Sequence, residues 1–94
     1  MPFIYMLQCG DGSLYTGIAK DVARRVTEHS AGRASRYTRS RLPVTLAWSR
    51  RVPTWSFALR EEYRIKHLRR AAKLALVRAA VTPLAAPQSL RRPR

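Results

Sequence analysis

The chain has one cysteine, no asparagine, four glycines and only five acidic residues among its 94. A single cysteine, Cys9, excludes an intrachain disulfide and a CxxC metal site, and it suits a small side chain buried in a strand under reducing, cytoplasmic conditions. No stretch reaches the roughly eighteen consecutive apolar residues of a membrane-crossing helix, so no helix is expected to span a membrane, and a membrane is not the first expectation for a partner. A charged start followed by a long apolar run is also missing, so no signal peptide is expected. There is no internal repeat and no Gly-rich phosphate loop of the Walker type. Disulfide scaffolds, CxxC zinc modules, helical membrane proteins and P-loop enzymes are thereby set aside.

The shortage of acid leaves 19 lysines and arginines largely unopposed, a formal charge of +14. Such an excess attracts polyanions, and nucleic acid is the expected partner, bound more weakly as salt rises. An anionic membrane surface is the less specific rival.

Ninety-four residues allow one small domain with one core. Its organising stretch is Tyr5 to His29. The run from Phe3 to Leu7 is short, apolar and β-prone; Gly10-Asp11-Gly12-Ser13 supplies hairpin-turn chemistry; Leu14 to Ile18 returns as a second strand. Gly17 inside that strand signals a bulge or a close backbone approach. Asp21 suits an N-cap for a helix running to about Ser30 and ended by Ala31-Gly32. Val22, Arg25, Val26 and His29 share one face of that helix by the three-four spacing. A guanidinium on a core-facing stripe is expected at the rim of a cleft, since burial without a partner is costly. Tyr5 and Tyr15, on neighbouring strands, would bring two hydroxyls to the same cleft.

Ser30 to Pro43 reads as a loop in which Arg33, Arg36, Arg39 and Arg41 recur around Tyr37, a composition suited to phosphate contact and base stacking. Val44 to Ser49 alternates as a third strand, with Val44, Leu46 and Trp48 on one side. After Pro53, Thr54 or Ser56 caps a helix from about Trp55 to Leu68, with Trp55, Ala58, Leu59, Ile65 and Leu68 on its apolar side. Glu62 falls on that side and needs a cation, either an arginine or a divalent metal. Glu61 is its adjacent rival. His67, on the polar side, is expected in solvent. Residues 69–81 form a further helical stretch that either continues the last helix or breaks near Arg69-Arg70. From Thr82 the composition turns to that of a flexible basic tail, so the domain is assigned to 1–81 and the tail to 82–94.

Tyr5-Met6-Leu7 and Tyr15-Thr16-Gly17, followed by Arg25, resemble the two half-motifs and the arginine of the GIY-YIG nuclease domain. AGRASRYTRSRLPV and ALREEYRIKHL resemble its small, single-domain bacterial branch, and the resemblance extends over about residues 2–77. It implies an α/β (α+β) domain, a mostly antiparallel three-stranded sheet flanked by helices, joined to the pattern order β-β-α-β-α-α. It implies a DNA endonuclease of repair or recombination that hydrolyses phosphodiester bonds with a single Mg2+ or Mn2+ ion. Glu62 would hold the metal, and Arg25 would steady the phosphoryl oxygens. Tyr15 would act as general base, with Tyr5 sharing or shaping that task, and His29 would orient a tyrosine or contact phosphate. Lys20, Arg24, Arg33, Arg36, Tyr37, Arg39 and Arg41 would contact nucleic acid. Three departures stand beside this. Several family nucleases carry a C-terminal asparagine that this chain lacks, and Ile18 stands where the repair branch has a lysine, with Lys20 nearby. No second DNA-binding domain is expected in a chain of this length, so specificity would come from the small domain, the tail or a protein partner, or would be low. The alternative to the enzyme is a non-catalytic basic nucleic-acid-binding module of the same fold.

Overall fold

The computed structural model describes residues 1–85. Strands β1 (Phe3–Gln8), β2 (Leu14–Ala19) and β3 (Thr45–Arg51) form one antiparallel sheet in the order β2-β1-β3. Helix α1 (Val22–Ser30) follows β2, while α3 (Trp55–Lys66) and α4 (Arg70–Ala85) follow β3. The expected β-β-α-β-α-α order therefore holds. One short helix, α2 (Arg36–Arg39), is added within the stretch expected to be loop. Its start is capped by Ser35, whose hydroxyl accepts from the Tyr37 amide.

Asp21 caps α1 as expected, accepting from the Arg24 amide at 3.0 Å. The helix stops where Gly32 takes a φ of 77°, a left-handed geometry that glycine adopts without strain, and its amide returns to the His29 carbonyl. Thr54, of the two candidates, caps α3. The chain breaks after Lys66, with His67 as the C-cap, so α3 and α4 are separate helices. Helix α4 runs on to Ala85, into the segment assigned to the tail, and residues 86–94 lie outside the described ones.

The sheet separates two apolar layers. On one face Ile4, Met6 and Trp48 are buried with Val52, Ala58 and Ile65, and Phe57 of α3, Leu68 between the helices, and Leu76 and Val77 of α4 close over them. On the other, Tyr5, Leu7, Cys9, Ala19 and Val44 meet Val22 and Val26 of α1. Full burial of a side chain such as Ile4 or Leu7 contributes about 1.5–3 kcal/mol, so the alternation of β1, with both faces covered, anchors the domain. Cys9 is buried, as its size suggests.

Two details differ from the pattern. Val44 and Trp48 lie in opposite layers, because the β1–β3 register shifts between Met6 and Leu7 and reverses the alternation; Leu46 is left exposed. On α3, Trp55 and Leu59 also face solvent, and Phe57 takes the packing role expected of them.

Thr16 stands opposite Met6 and so faces the α3 layer, 2 % exposed, with no hydrogen-bond partner for its hydroxyl. Thr16→Val keeps the β-branched shape and removes an uncompensated polar group. We expect it to raise stability by about 1–3 kcal/mol, read as a higher urea midpoint at unchanged m-value. A lower midpoint would reveal that the hydroxyl is in use.

Candidate active site

The antiparallel register sets Tyr5 opposite Gly17 and Leu7 opposite Tyr15, so both tyrosines face α1, offset by one diagonal step. Tyr5 is 2 % exposed, and its hydroxyl lies 2.9 Å from Nε2 of His29, itself 1 % exposed. The ring of Tyr5 occupies the space above Gly17. A Cβ at position 17 would stand 2.5 Å from the Tyr5 Oη and 2.6 Å from its Cζ. Gly17 is thus the close approach anticipated for it, with the β1–β2 register unbroken from Phe3 to Gln8. Gly17→Ala is expected to force the Tyr5 ring off His29 and to destabilise the fold by about 1–3 kcal/mol. Urea unfolding measures this, and an unchanged midpoint would show that the ring yields freely.

The other His29 nitrogen, Nδ1, lies 2.7 Å from Oγ1 of Thr38, a fully buried residue of α2. Thr38 in turn reaches the Ser35 carbonyl at 3.3 Å. Tyr15 sets its ring edge-on to His29, with centroids 5.1 Å apart, and Tyr37 continues the row at 5.8 Å from Tyr15. Arg25 occupies the rim position expected for it, its side chain 41 % exposed, and pairs with Glu28 at 3.5 Å. An open cleft of about 380 Å3 lies beside it, lined by Ala19, Lys20, Asp21, Arg24, Arg25 and Glu28.

Burial holds the Tyr5 phenol in its neutral form, well above the usual tyrosine range; neighbouring Tyr15 adds to this, Arg25 opposes it, and the Glu62 charge reinforces it. Burial likewise lowers His29, and the Arg25 charge lowers it further, which keeps the imidazole neutral. Tyr5 is thus within electrostatic reach of Glu62 on α3 as well as Arg25 on α1.

The adjacent carboxylates on α3 are in different circumstances. Glu61 accepts two hydrogen bonds from Arg64, at 2.8 and 3.1 Å, and one from Arg50 at 2.9 Å. The Arg64 and then the Arg50 hydrogen bonds hold its carboxyl down to about 2, and they occupy both oxygens. Among the described residues Glu62 meets only Lys66, at 3.2 Å, through Oε2. No group of three or more His, Cys, Asp or Glu side chains gathers to form a metal cage among the described residues. A hard cation that keeps several waters and takes one carboxylate is the kind Glu62 fits.

Of the residues expected to meet nucleic acid, Lys20 and Arg24 line the cleft with Arg25. Arg33, Arg36 and Arg39 are exposed around α2. Arg41 is engaged within the fold: its guanidinium stacks 3.8 Å from the Tyr37 ring centroid and pairs with Asp11 at 3.0 Å, tying the loop to the hairpin turn. His67 is exposed as expected and stacks on Tyr63. Sequence reasoning missed three residues. Thr38 was hidden in a presumed loop, although Ser35 three residues before it is a helix-start signal. Arg70 and Lys73 of α4 join Ser13, Leu14 and Tyr37 around a second groove of about 190 Å3, a convergence of distant segments that local spacing does not carry.

Comparison with known proteins follows the same outline. The profile of the GIY-YIG catalytic domain matches residues 1–75. A UPF0213 protein of Halobacterium salinarum is 51 % identical over 76 residues, 81 % of this chain and 99 % of that one. A UPF0213 protein of Staphylococcus aureus is 47 % identical over 76 residues, 81 % of this chain and 93 % of the relative. The solution NMR structure of a UPF0213 protein of Bacillus halodurans superposes with a TM-score of 0.53 at 44 % identity, covering 82 % of this chain and 83 % of the other.

Proposed function

The chain belongs to the GIY-YIG catalytic domain family, a nuclease-type family, and from that premise we propose that it is a divalent-metal-dependent DNA endonuclease. The observation that carries the reading is the convergence on one buried phenol. His29 touches the Tyr5 hydroxyl, and the Arg25 and Glu62 charges both act on it. Tyr15 closes the group from β2.

In this reading the basic cleft binds the phosphodiester backbone, with Lys20 and Arg24 on flanking phosphates. Arg25, at the rim, donates to the non-bridging oxygens as charge builds on them, a task its planar fork suits. Tyr15 is the phenol at the site whose hydroxyl makes no hydrogen bond among the described residues, and as the phenolate it takes the proton of the attacking water. Tyr37, 37 % exposed and next to Tyr15, offers a face for a base. Glu62 would hold the single Mg2+ or Mn2+ ion, which when bound supplies charge neutralisation at the leaving oxygen. Its pair with Lys66 does not bar this. With side chains 47 % and 21 % exposed, such a pair contributes about 0–1 kcal/mol, which a divalent cation displaces.

The same Lys66 contact, together with the absent asparagine, favours the second reading, a binding module without turnover. A panel of single-stranded, duplex and branched DNA incubated with Mg2+ or Mn2+, with and without EDTA, separates the two. Cleavage that EDTA abolishes is expected. Salt-sensitive binding with no cleavage of any substrate would overturn the enzyme in favour of the module. If four cations meet phosphates, affinity should fall about 10²-fold between 50 and 200 mM salt.

A further inference from the structure

We infer that Thr38 is a positioning residue of this site: by accepting a hydrogen bond from His29 it fixes the tautomer of that ring, and so keeps Tyr5 a hydrogen-bond donor. The direction of the row follows from its protons. Tyr5 has one hydroxyl proton and, among the described residues, one hydrogen-bond partner, His29 Nε2 at 2.9 Å. Thr38 has two neighbours, His29 Nδ1 at 2.7 Å and the Ser35 carbonyl at 3.3 Å. If Tyr5 donates to Nε2, Nδ1–H donates to Thr38, and the Thr38 hydroxyl donates to Ser35, every proton in the row is used. In the reverse direction Nε2–H would donate to Tyr5, whose own proton would be left without an acceptor. Tyr5, His29 and Thr38 are 2 %, 1 % and 0 % exposed, so bulk water does not make up that loss. An imidazolium would place two protons between Tyr5 and Nε2, and burial and Arg25 both oppose it.

Two consequences follow. His29 adopts the Nδ1–H tautomer, against the preference of a free imidazole for Nε2–H. Tyr5 remains a neutral phenol, its proton committed to His29, so the proton of the attacking water goes to Tyr15 as the phenolate. The second consequence rests on the nuclease reading above; the first does not.

Long-range 15N NMR of His29 at neutral pH tests the tautomer directly. In the wild type, a protonated Nδ1 and an unprotonated Nε2 are expected. Thr38→Val, which keeps the shape and removes the acceptor, is expected to convert the ring to Nε2–H and to lower kcat on the order of 10- to 10²-fold at little change in KM. Thr38→Ser is expected to restore both. An Nε2–H ring in the wild type, or an Nδ1–H ring that persists in Thr38→Val, overturns the inference. Should Thr38→Val fail to fold, the wild-type and Thr38→Ser spectra decide it: Nδ1–H in both supports the assignment, and Nε2–H in either overturns it. If the tautomer behaves as expected while no DNA is cut, the nuclease reading falls and the role of Thr38 in setting the ring stands.

Discussion

Glu62→Gln is expected to lower DNA cleavage by a factor on the order of 10³ while leaving DNA affinity within about two-fold. The substitution is nearly isosteric and removes only the charge. Because among the described residues Glu62 meets only the exposed Lys66, through an i,i+4 pair, folding should be barely affected. Glu61→Gln is the matched control. It weakens the hydrogen bonds to Arg64 within α3 and the one to Arg50 that ties α3 to β3. Its effect should therefore appear in stability, with cleavage within a few-fold of wild type. The pH dependence of that stability has a definite sign. The folded Glu61 carboxyl titrates at about 2, below its ordinary 4.5, so its contribution is present above 4.5 and is lost as the pH falls toward 2. Single-turnover cleavage in Mn2+ and urea unfolding of both variants check the pair. Loss of cleavage in Glu61→Gln with retention in Glu62→Gln would transfer the metal to Glu61 and sink the assignment.

The second large effect separates the two tyrosines. Tyr15→Phe is expected to reduce the cleavage rate by about 10²–10⁴, the range of a lost general base, with KM little changed. Tyr5→Phe should act differently. It leaves the buried Nε2 of His29 without its donor, which destabilises by about 1–3 kcal/mol, and its rate loss should be the smaller of the two. Alkaline unfolding gives an independent handle. An unfolded tyrosine ionises near about 10, whereas folded Tyr5 keeps its proton well above that. The unfolded state then binds fewer protons, and stability falls as the pH rises past about 10. This fall is expected to be smaller in Tyr5→Phe than in the wild type. Equal loss of rate in both phenylalanine variants, with identical alkaline unfolding, would overturn the separate roles of Tyr5 and Tyr15.

The contrast between Thr38 and Arg25 shows how far local pattern reaches. Arg25 was legible because a guanidinium on an otherwise apolar helical stripe is an inconsistency, and the rim of a cleft resolves it. Thr38 is a small polar residue between arginines and carries no inconsistency. Its importance arises only when α2 is laid against His29. Glu61 and Glu62 make the same point in adjacent positions. Both fall near the apolar side of α3; Glu61 is committed by Arg64 within the helix and by Arg50 on β3, and the Arg50 contact exists only once α3 is packed beside that strand.

The sequence by itself determined the strand-turn-strand-helix opening, the strongly basic charge, the cap at Asp21, and the family to which Tyr5, Tyr15 and Arg25 point. These are set by interactions within a few residues, or by composition, and periodicity and turn chemistry report them directly. The tertiary structure decided the rest: the register shift that puts Val44 and Trp48 on opposite faces, the burial of His29 against Tyr5, and the engagement of Arg41 with Asp11 and Tyr37. Each depends on pairing or packing between segments far apart in the chain. There the free energy comes from excluding water and satisfying buried hydrogen bonds, and no local spacing records it.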